Sequence, residues 1–333
     1  MEELDRQNRA FEKRLKRQVI GKPHRFLAVV PLGFEQTLAR EIEFCNPQVV
    51  GDGKVEFTAK ITEAWKAVAY TRVANRIMMH IADFKAENFR DLEKKASEIP
   101  WELYFLDDRR KTIDERGQTT LHIHVTCKHS RLYHSDAVAE RLYKVIEGGS
   151  ESPPSTPQNL YVSLIDDRCT LWLDLAGEEL YKRGHERFVN DAPLKETIAA
   201  GMILEAIEFA TAPSLDPSTT PSRASLRMTQ CCLLDLMAGS GTFSLEAAYM
   251  ASGLIPGKCR DFALKHQPAF KPATWKHIVS SMDSLAPTGL RNDYKKAQVC
   301  PIANIITSDI SERAVNIIRH NVESSPGVQV NPQ

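Results

Sequence analysis

The sequence lacks the features that mark membrane and secreted proteins. No apolar run approaches the roughly 20 residues that cross a bilayer, and the first 25 residues are charged throughout, without an apolar signal-peptide core. The seven cysteines are odd in number, and no two have the two-residue gap of a zinc knuckle or redox motif. We therefore predict a cytoplasmic protein with reduced cysteines and no membrane partner.

The chain also lacks an excess charge of either sign. Lysine plus arginine and aspartate plus glutamate both number 43, so the formal net charge is zero. Bulk charge thus gives no evidence for nucleic acid, and any basic surface must be local. Residues 1–25 hold eight Lys/Arg against four Asp/Glu. This stretch is either a solvated, partly helical extension or an arm that grips phosphates.

Hydrophobic periodicity divides the rest of the chain into three units. Residues 26–89 show a strand–helix–strand order typical of a small α+β unit, and residues 90–182 form a second unit. The third unit, residues 190–333, begins with a helix that has Pro193 in its first turn. In it, a strand over Cys231–Leu236 precedes a helix over Phe243–Ala251, as in α/β proteins.

The turn after Asp235 contains Gly239-Ser240-Gly241, and three ligand classes would use such a turn. A P-loop requires Gly-Lys-Ser/Thr, but Gly241 is followed by Thr242. A dinucleotide fingerprint wants a third Gly or Ala, and Ser244 stands there, so that match is imperfect. S-adenosylmethionine needs an acid near the strand end for its amino group and a close backbone approach, which glycine permits.

A second acid follows the next strand of this unit. Asp309 comes after the strand-like Ile305 and Ile306, and Ser311 caps the helix that follows. Such an acid can accept hydrogen bonds from ribose hydroxyls, or it can be a simple turn residue. Asp235 and Asp309, each after a strand and before a helix, together favour a cofactor site. Residues 252–300 form an insertion that could be a lid, a nucleic-acid contact or packing on the domain flank.

Four segments together resemble one family, the THUMP-domain RNA methyltransferases that modify the exocyclic amine of guanine. They are "HSRLYHSDAVAERLYKVI", "DLAGEELYKRGHERFVNDAPLKETIAAGMIL", "LLDLMAGSGTFSLEAA" and "ITSDISERAVNIIRHNV". The resemblance covers about Phe26 to Val322. It implies α+β and α/β architecture: a basic extension (1–25), a ferredoxin-like subdomain (26–89), a THUMP RNA-binding domain (90–182) and an incomplete Rossmann-like methyltransferase domain (190–333).

The resemblance also implies site residues and partners. S-adenosylmethionine would be the cofactor, and the residues carried over to it are Asp235, Gly239, Ser240, Gly241, Thr242 and Asp309. Lys195 and Glu196 would buttress the pocket. Lys128, Arg131 and His134 stand where THUMP domains meet RNA, or they form an exposed polar helix start. The RNA would be ribosomal, with transfer RNA as the second choice.

Several histidines lie close together in the second unit, which raises the question of zinc. His122 and His124 alternate with the apolar Leu121, Ile123 and Val125, as the two faces of a strand do. This alternation explains the histidines more simply than a metal site shared with Cys127, His129 and His134. We predict no metal.

One expected motif is missing. The family places Asn-Pro-Pro-Tyr or a similar sequence after its fourth strand, where it holds and stacks the flipped base. The chain has no such sequence, and Asn331-Pro332-Gln333 lacks the second proline and the ring. We therefore expect a truncated gene product with weak or no methyl transfer and assign no catalytic residue. The alternative is an RNA-binding module with an inactive methyltransferase half.

Overall fold

The fold was analysed in a computed structural model of the chain. The structure describes residues 2–105, 121–149, 158–185, 187–190, 193–211, 231–283 and 302–325. The segment Asn331-Pro332-Gln333, which the sequence analysis singled out, lies outside the described residues.

The first region combines seven strands with five helices. The strands are β1 (His24–Val29), β2 (Gln48–Gly51), β3 (Lys54–Ala59), β4 (Arg76–Lys85), β5 (Leu121–Lys128), β6 (Gln158–Ile165) and β7 (Arg168–Asp174). The helices are α1 (Glu2–Leu15), α2 (Glu35–Glu41), α3 (Ile61–Tyr70), α4 (Phe89–Ser97) and α5 (Ser135–Gly149). No helix among the described residues is long and apolar enough to cross a membrane.

The seven strands form one sheet in the order β2-β3-β1-β4-β7-β6-β5. All neighbours pair antiparallel except β5 and β6, which are parallel. Strands from both sides of residue 90 therefore share a single sheet, joined where β4 pairs with β7. The division of this region at residue 90 stays a prediction.

Strand alternation places the core on one face of this sheet. Phe26 on β1 stacks on Phe57 of β3 with ring centroids 5.2 Å apart, and both rings are buried. The same core takes in Trp65 of α3 and Leu142 of α5. Burying these apolar faces is the main stabilising contribution to the region. The basic extension also contributes to this core, because Leu15 at the end of α1 is buried in it.

The second region is smaller and of α/β type. It contains α6 (Glu196–Thr211), β8 (Cys231–Asp235), α7 (Thr242–Ala251), α8 (Pro272–Asp283), β9 (Ile302–Thr307) and α9 (Glu312–Glu323). Strands β8 and β9 pair in parallel. Helix α6 begins at Glu196, three residues after the predicted Pro193. The carbonyl of Lys195 accepts the first helical bonds, from the amides of Ile198 and Ala199, so Pro193 precedes the helix.

The described part of the insertion packs on the first region. Phe262 and Leu264 are buried in the core of the seven-stranded sheet. The Arg260 guanidinium donates to the backbone carbonyls of Glu178 and Glu179 at 2.8 and 2.7 Å, and the hydroxyl of Tyr70 donates to the carbonyl of Ile278 at 2.6 Å. Of the alternatives open from the sequence, these contacts favour packing on the domain flank.

A buried ionic cluster joins the two regions. Nε of Arg183 lies 2.9 Å from Oε1 of Glu246 on α7, and Nη1 of Arg72 lies 3.6 Å from Oε2 of the same carboxylate. The side chain of Glu246 is 0% exposed, and those of Arg183 and Arg72 are 4% and 8% exposed. A second hydrogen bond runs from Nη2 of Arg183 to the carbonyl of Arg72 at 2.9 Å.

We predict that Glu246→Gln destabilises the chain severely. Without the carboxylate, Arg183 and Arg72 lose their ion-pair partner on α7 in a buried site, and removing one partner of a buried ion pair costs about 3–5 kcal/mol. The free energy of unfolding in urea measures the loss. Glu208→Gln is the matched control: Glu208 pairs with Arg40 at the surface, with both side chains about half exposed, and should cost less than about 1 kcal/mol. Equal losses for the two variants would contradict the prediction.

Candidate cofactor site

The two acids singled out in the sequence stand at the same edge of one sheet. Strand β8 ends at Asp235, which pairs with Thr307 of β9, and Asp309 follows two residues later. The main chains are also tied beyond the strands, because the Ser308 amide donates to the Asp235 carbonyl at 2.8 Å. Parallel strands present their carboxyl ends at one edge, where ligands of α/β sheets bind.

The turn between β8 and α7 depends on two glycines in the left-handed region. Gly239 has φ +56° and Gly241 has φ +78°. The Gly241 amide donates to the Ala238 carbonyl at 2.7 Å, and the Gly241 carbonyl accepts the first bond of α7 from Leu245 at 2.9 Å. A Cβ on Gly241 would lie 3.2 Å from Ile318 of α9, whereas a Cβ on Gly239 would meet no atom within 4 Å. The backbone at Gly239 therefore borders open space.

Asp309 fixes this turn from the neighbouring strand. Its Oδ2 accepts a hydrogen bond from the Gly239 amide at 2.8 Å, and its Oδ1 accepts one from the Ser311 amide at 2.9 Å. These two amides hold the pKa of the Asp309 carboxyl below its ordinary value. Each carboxylate oxygen retains a further acceptor site for a hydroxyl group.

Asp235 is in a different electrostatic environment. Its Oδ2 accepts a hydrogen bond from Oγ of Ser244 at 3.0 Å, and that hydroxyl in turn accepts one from Oγ1 of Thr307 at 2.6 Å. Burial raises the pKa of Asp235, and the nearby charge of Asp309 adds to this rise. The edge thus combines one carboxylate that titrates late with one that titrates early as the pH rises.

Arg187 holds the polar side chains of the turn, and sequence reasoning missed it. Its Nη2 donates to Oγ of Ser240 at 3.2 Å and to Oγ1 of Thr242, while its Nη1 donates to Oε1 of Glu196 at 2.7 Å. Ser240 and Thr242 are buried. The predicted buttressing role of Glu196 therefore has a geometric counterpart, because Glu196 holds Arg187. Lys195 instead pairs with Glu179 at 3.2 Å, away from the turn.

Asn321 connects the turn to the segment that carries Arg187. Its Oδ1 accepts from the Phe188 amide at 2.8 Å, and its Nδ2 donates to the carbonyls of Phe188 and Ser240 at 2.8 and 3.1 Å. Asn321 is only 2% exposed. No local signal could have identified it, because a polar residue in an amphipathic helix is ordinarily solvated.

The open side of the edge is apolar. Met237 follows β8 and is 90% exposed, and Ile310 follows Asp309 and is fully exposed. These side chains offer apolar contact beside two carboxylates and a glycine backbone. A nucleoside with a cationic group suits this combination: apolar contact for a base, Asp309 for sugar hydroxyls and Asp235 for a cation.

The predicted RNA residues lie on the other region, around the β5–α5 connection. Lys128 ends β5 and is exposed. Arg131 pairs with Glu87 and lies 3.7 Å from Asp167. The ring of His134 lies 4.1 Å from that of Tyr133, which is 69% exposed. The structure thus places Lys128, Arg131 and His134 near one another, separate from the glycine turn.

Two family models match the chain. Residues 223–329 match the RMKL-like methyltransferase domain, and residues 25–78 match the RlmL ferredoxin-like domain. These matches confirm the resemblance to RNA methyltransferases drawn from the sequence and the predicted order of a ferredoxin-like region followed by a Rossmann-like methyltransferase fold. The specificity for guanine N2 stays a prediction. THUMP identity for residues 90–182 stays a prediction.

Individual proteins agree with this assignment. The ribosomal RNA large subunit methyltransferase K/L of Shewanella baltica (strain OS155) is 30% identical over 304 residues, which cover 90% of this chain and 39% of that protein. The chain thus spans about two fifths of this curated relative. A predicted N6-adenine-specific DNA methylase of Listeria monocytogenes has a similar crystal structure, with TM-score 0.68, 26% identity and coverage of 91% of this chain and 72% of that one.

A third protein shares the fold at lower identity. The crystal structure of SMU.472, assigned as a methyltransferase and complexed with SAH, gives a TM-score of 0.64 at 23% identity. The match covers 91% of this chain and 72% of that one.

We predict that Gly241→Ala destabilises the chain more than Gly239→Ala does. Both substitutions force alanine into the left-handed region, which costs about 1 kcal/mol. Only the Cβ at position 241 also meets Ile318 at 3.2 Å, so this variant should lose roughly 1–2 kcal/mol more. The free energy of unfolding in urea is measured for both variants. Equal losses would contradict the prediction, because they would show that Ile318 moves away from the new Cβ without destabilising the chain.

Proposed function

We propose that this chain binds S-adenosylmethionine at the edge between Asp235 and Asp309 and takes part in methylating the N2 amine of guanine in RNA. The hydrogen bond from the Gly239 amide to Asp309 carries the proposal. It joins a glycine turn after one strand to an acid after the next, which makes one continuous site. Gly239, Ser240, Gly241 and Thr242 would line its methionine side.

The residues at this edge fit that cofactor. S-adenosylmethionine has no pyrophosphate, so the turn needs no lysine or phosphate nest. Asp235 would attract the α-amino group, Asp309 would accept hydrogen bonds from the ribose hydroxyls, and Ile310 would contact the adenine. The open space beside Gly239 admits close backbone contact. When bound, the cofactor would supply an activated methyl group to the amine, which would lose a proton as the cofactor became S-adenosylhomocysteine.

Large-subunit ribosomal RNA is the substrate that we propose first. The Shewanella relative is named for that RNA, and the family resemblance of the sequence segments implies guanine N2. Lys128, Arg131 and His134 would contact the RNA backbone from the β5–α5 connection. Transfer RNA is the second choice, and a cytoplasmic location accompanies either substrate.

A second candidate function rests on the missing base-binding motif. The 333 residues contain no Asn-Pro-Pro-Tyr sequence, whose side chains would hold the guanine amine and stack its ring. The chain by itself would then be an RNA-binding module with an inactive methyltransferase half. It would bind cofactor and RNA without forming product.

The pH dependence of cofactor binding tests the two acids. A cationic amino group binds the ionised form of Asp235, whose pKa is raised. We therefore expect the affinity for S-adenosylmethionine to fall as the pH drops through that pKa, by up to about tenfold per pH unit. Asp235→Asn should bind more weakly at neutral pH and lose this dependence. Calorimetry across a pH series measures both effects.

Asp309 should behave differently in the same titrations. Because its pKa is lowered, it stays ionised over the range in which Asp235 titrates, so Asp309→Asn should weaken binding at every pH. Asp136→Asn, an exposed acid at the start of α5, is the control and should bind as the wild type does. Wild-type affinity in Asp309→Asn would remove the ribose role and with it the proposed site.

Mass spectrometry of RNA nucleosides tests the reaction. We predict that this chain binds S-adenosylmethionine but forms little or no N2-methylguanosine on ribosomal RNA, because no residues of the Asn-Pro-Pro-Tyr type position the amine. Measurable turnover would overturn the predicted impairment and support the enzyme. Adding transfer RNA in parallel separates the two substrates, and failure to bind the cofactor would remove both candidate functions.

A further inference from the structure

One face of the seven-stranded sheet carries no helix residue in its apolar cluster. The cluster on this face consists of Leu27, Met78 and Trp172, with Val29 and Tyr161 packed against it. All five members come from strands. By contrast, the core on the opposite face includes residues from all five helices of the region. We call this side, whose cluster contains only strand residues within the described part of the chain, the outer face.

Four aromatic rings cross the outer face in one row. His80 on β4 pairs in register with Trp172 on β7, Trp172 with Tyr161 on β6, and Tyr161 with His124 on β5. His80 meets Trp172 edge-on at 5.2 Å, and His124 stacks on Tyr161 at 4.6 Å with 17° between the planes. Neighbouring strands are about 4.8 Å apart, so the ring row spans roughly 14 Å.

Guanidinium groups lie over two of these rings. The Arg25 guanidinium lies 5.2 Å from the Trp172 ring, and that of Arg76 lies 5.1 Å from Tyr161. Trp172 is 7% exposed, whereas His124 and Arg25 are exposed. Because His124 stacks on Tyr161 and the Arg76 guanidinium lies over the same ring, the surfaces left to a ligand are the His124 ring and the guanidinium of Arg25. Both aromatic rings and guanidinium planes stack on nucleobases.

Cations and carboxylates both border the row: Arg76 pairs with Asp174, and Asp83 lies 3.4 Å from Nε2 of His80 and pairs with Arg168. Burial, together with the charges of Arg25, His24 and Arg168, lowers the pKa of His80 to about 4, so this ring is neutral near pH 7. Along β5, Lys128 alternates on the same side as His124, and both are exposed. The ring row is thus continuous with the cation that the sequence marked for RNA.

We propose that the outer face is a stacking platform for unpaired RNA. One base would stack on His124, which Tyr161 supports from behind, and another on the Arg25 guanidinium, and Lys128 would meet a phosphate. A strip about 14 Å long suits roughly that number of bases. Paired bases would not fit, because duplex stacking hides their faces. The inference rests on the proposed RNA function and deepens it by naming a single-stranded substrate segment.

Fluorescence anisotropy with labelled RNA tests the platform. The probes are a single-stranded RNA of about 12 nucleotides and the duplex of the same sequence. We expect wild type to prefer the single strand, and His124→Ala with Arg25→Ala to weaken that binding about tenfold or more. The matched control is His277→Ala with Arg90→Ala, both exposed and on helices α8 and α4, and it should change binding less than about twofold.

Ring chemistry gives a second test. Tyr161→Phe should bind as wild type because it keeps the ring, whereas Tyr161→Ser should bind more weakly. Unchanged binding by the double variant, equal affinity for duplex, or a wild-type dimer that the double variant dissociates would each overturn the platform. If the His124→Ala, Arg25→Ala variant binds RNA as tightly as wild type does, the stacking platform is wrong but the proposed RNA methylation is unaffected. If wild type binds no RNA, both proposals fail.

Discussion

The buried carboxylate of Glu246 is the constraint on which the arrangement of the two regions depends. It takes a charge into a site with no solvent exposure and compensates it with Arg72, from the first region, and with Arg183, from the connection between the two regions. Such a charge is tolerable only while its partners stay in place. The nearby Glu41 follows the same logic: burial raises its pKa, and it accepts hydrogen bonds from the hydroxyl of Thr71 and the amides of Arg72 and Val73.

Arg183, Arg187 and Phe188 link this constraint to the candidate site. Arg183 holds Glu246 on α7, and Arg187, four residues later, holds the hydroxyls of Ser240 and Thr242 that begin the same helix. Asn321 then fixes Phe188 and the Ser240 carbonyl together. Between the sheet of the first region and the glycine turn there is thus a short chain of buried polar contacts. Interfaces between domains ordinarily permit relative motion, but these contacts would have to break for it to occur.

The residues predicted for the site are those that have local signals in the sequence, and their cofactor roles stay predictions. Asp235 and Asp309 follow strands and precede helices, and Gly239 and Gly241 have the positive φ that their turn requires. Strand alternation likewise anticipated that His122 and His124 share a face. Arg187 and Asn321 had no such signal, because their contacts with the turn and with Phe188 join residues that lie between 53 and 133 positions apart along the chain. The prediction that Pro193 lies in the first turn of α6 was wrong. It rested on the preference for proline at the start of helices, whereas α6 begins after Lys195, whose carbonyl accepts the first helical hydrogen bonds.

The same limit applies to the outer face of the large sheet. The pairing of β4 with β7 aligns His80 with Trp172 across 92 residues of sequence, and only the register brings Tyr161 and His124 into line with them. Each strand contributes only one of these four side chains, and within its strand that side chain belongs to an alternating pattern typical of a solvated face. The chemistry of the row therefore belongs to the sheet and not to any of its strands. Strand β7, which carries Trp172, ends at Asp174, and the carboxylate of Asp174 holds Arg76 of β4 and accepts a hydrogen bond from the Gly177 amide. Contacts made beyond any single strand therefore fix this end of the outer face as well.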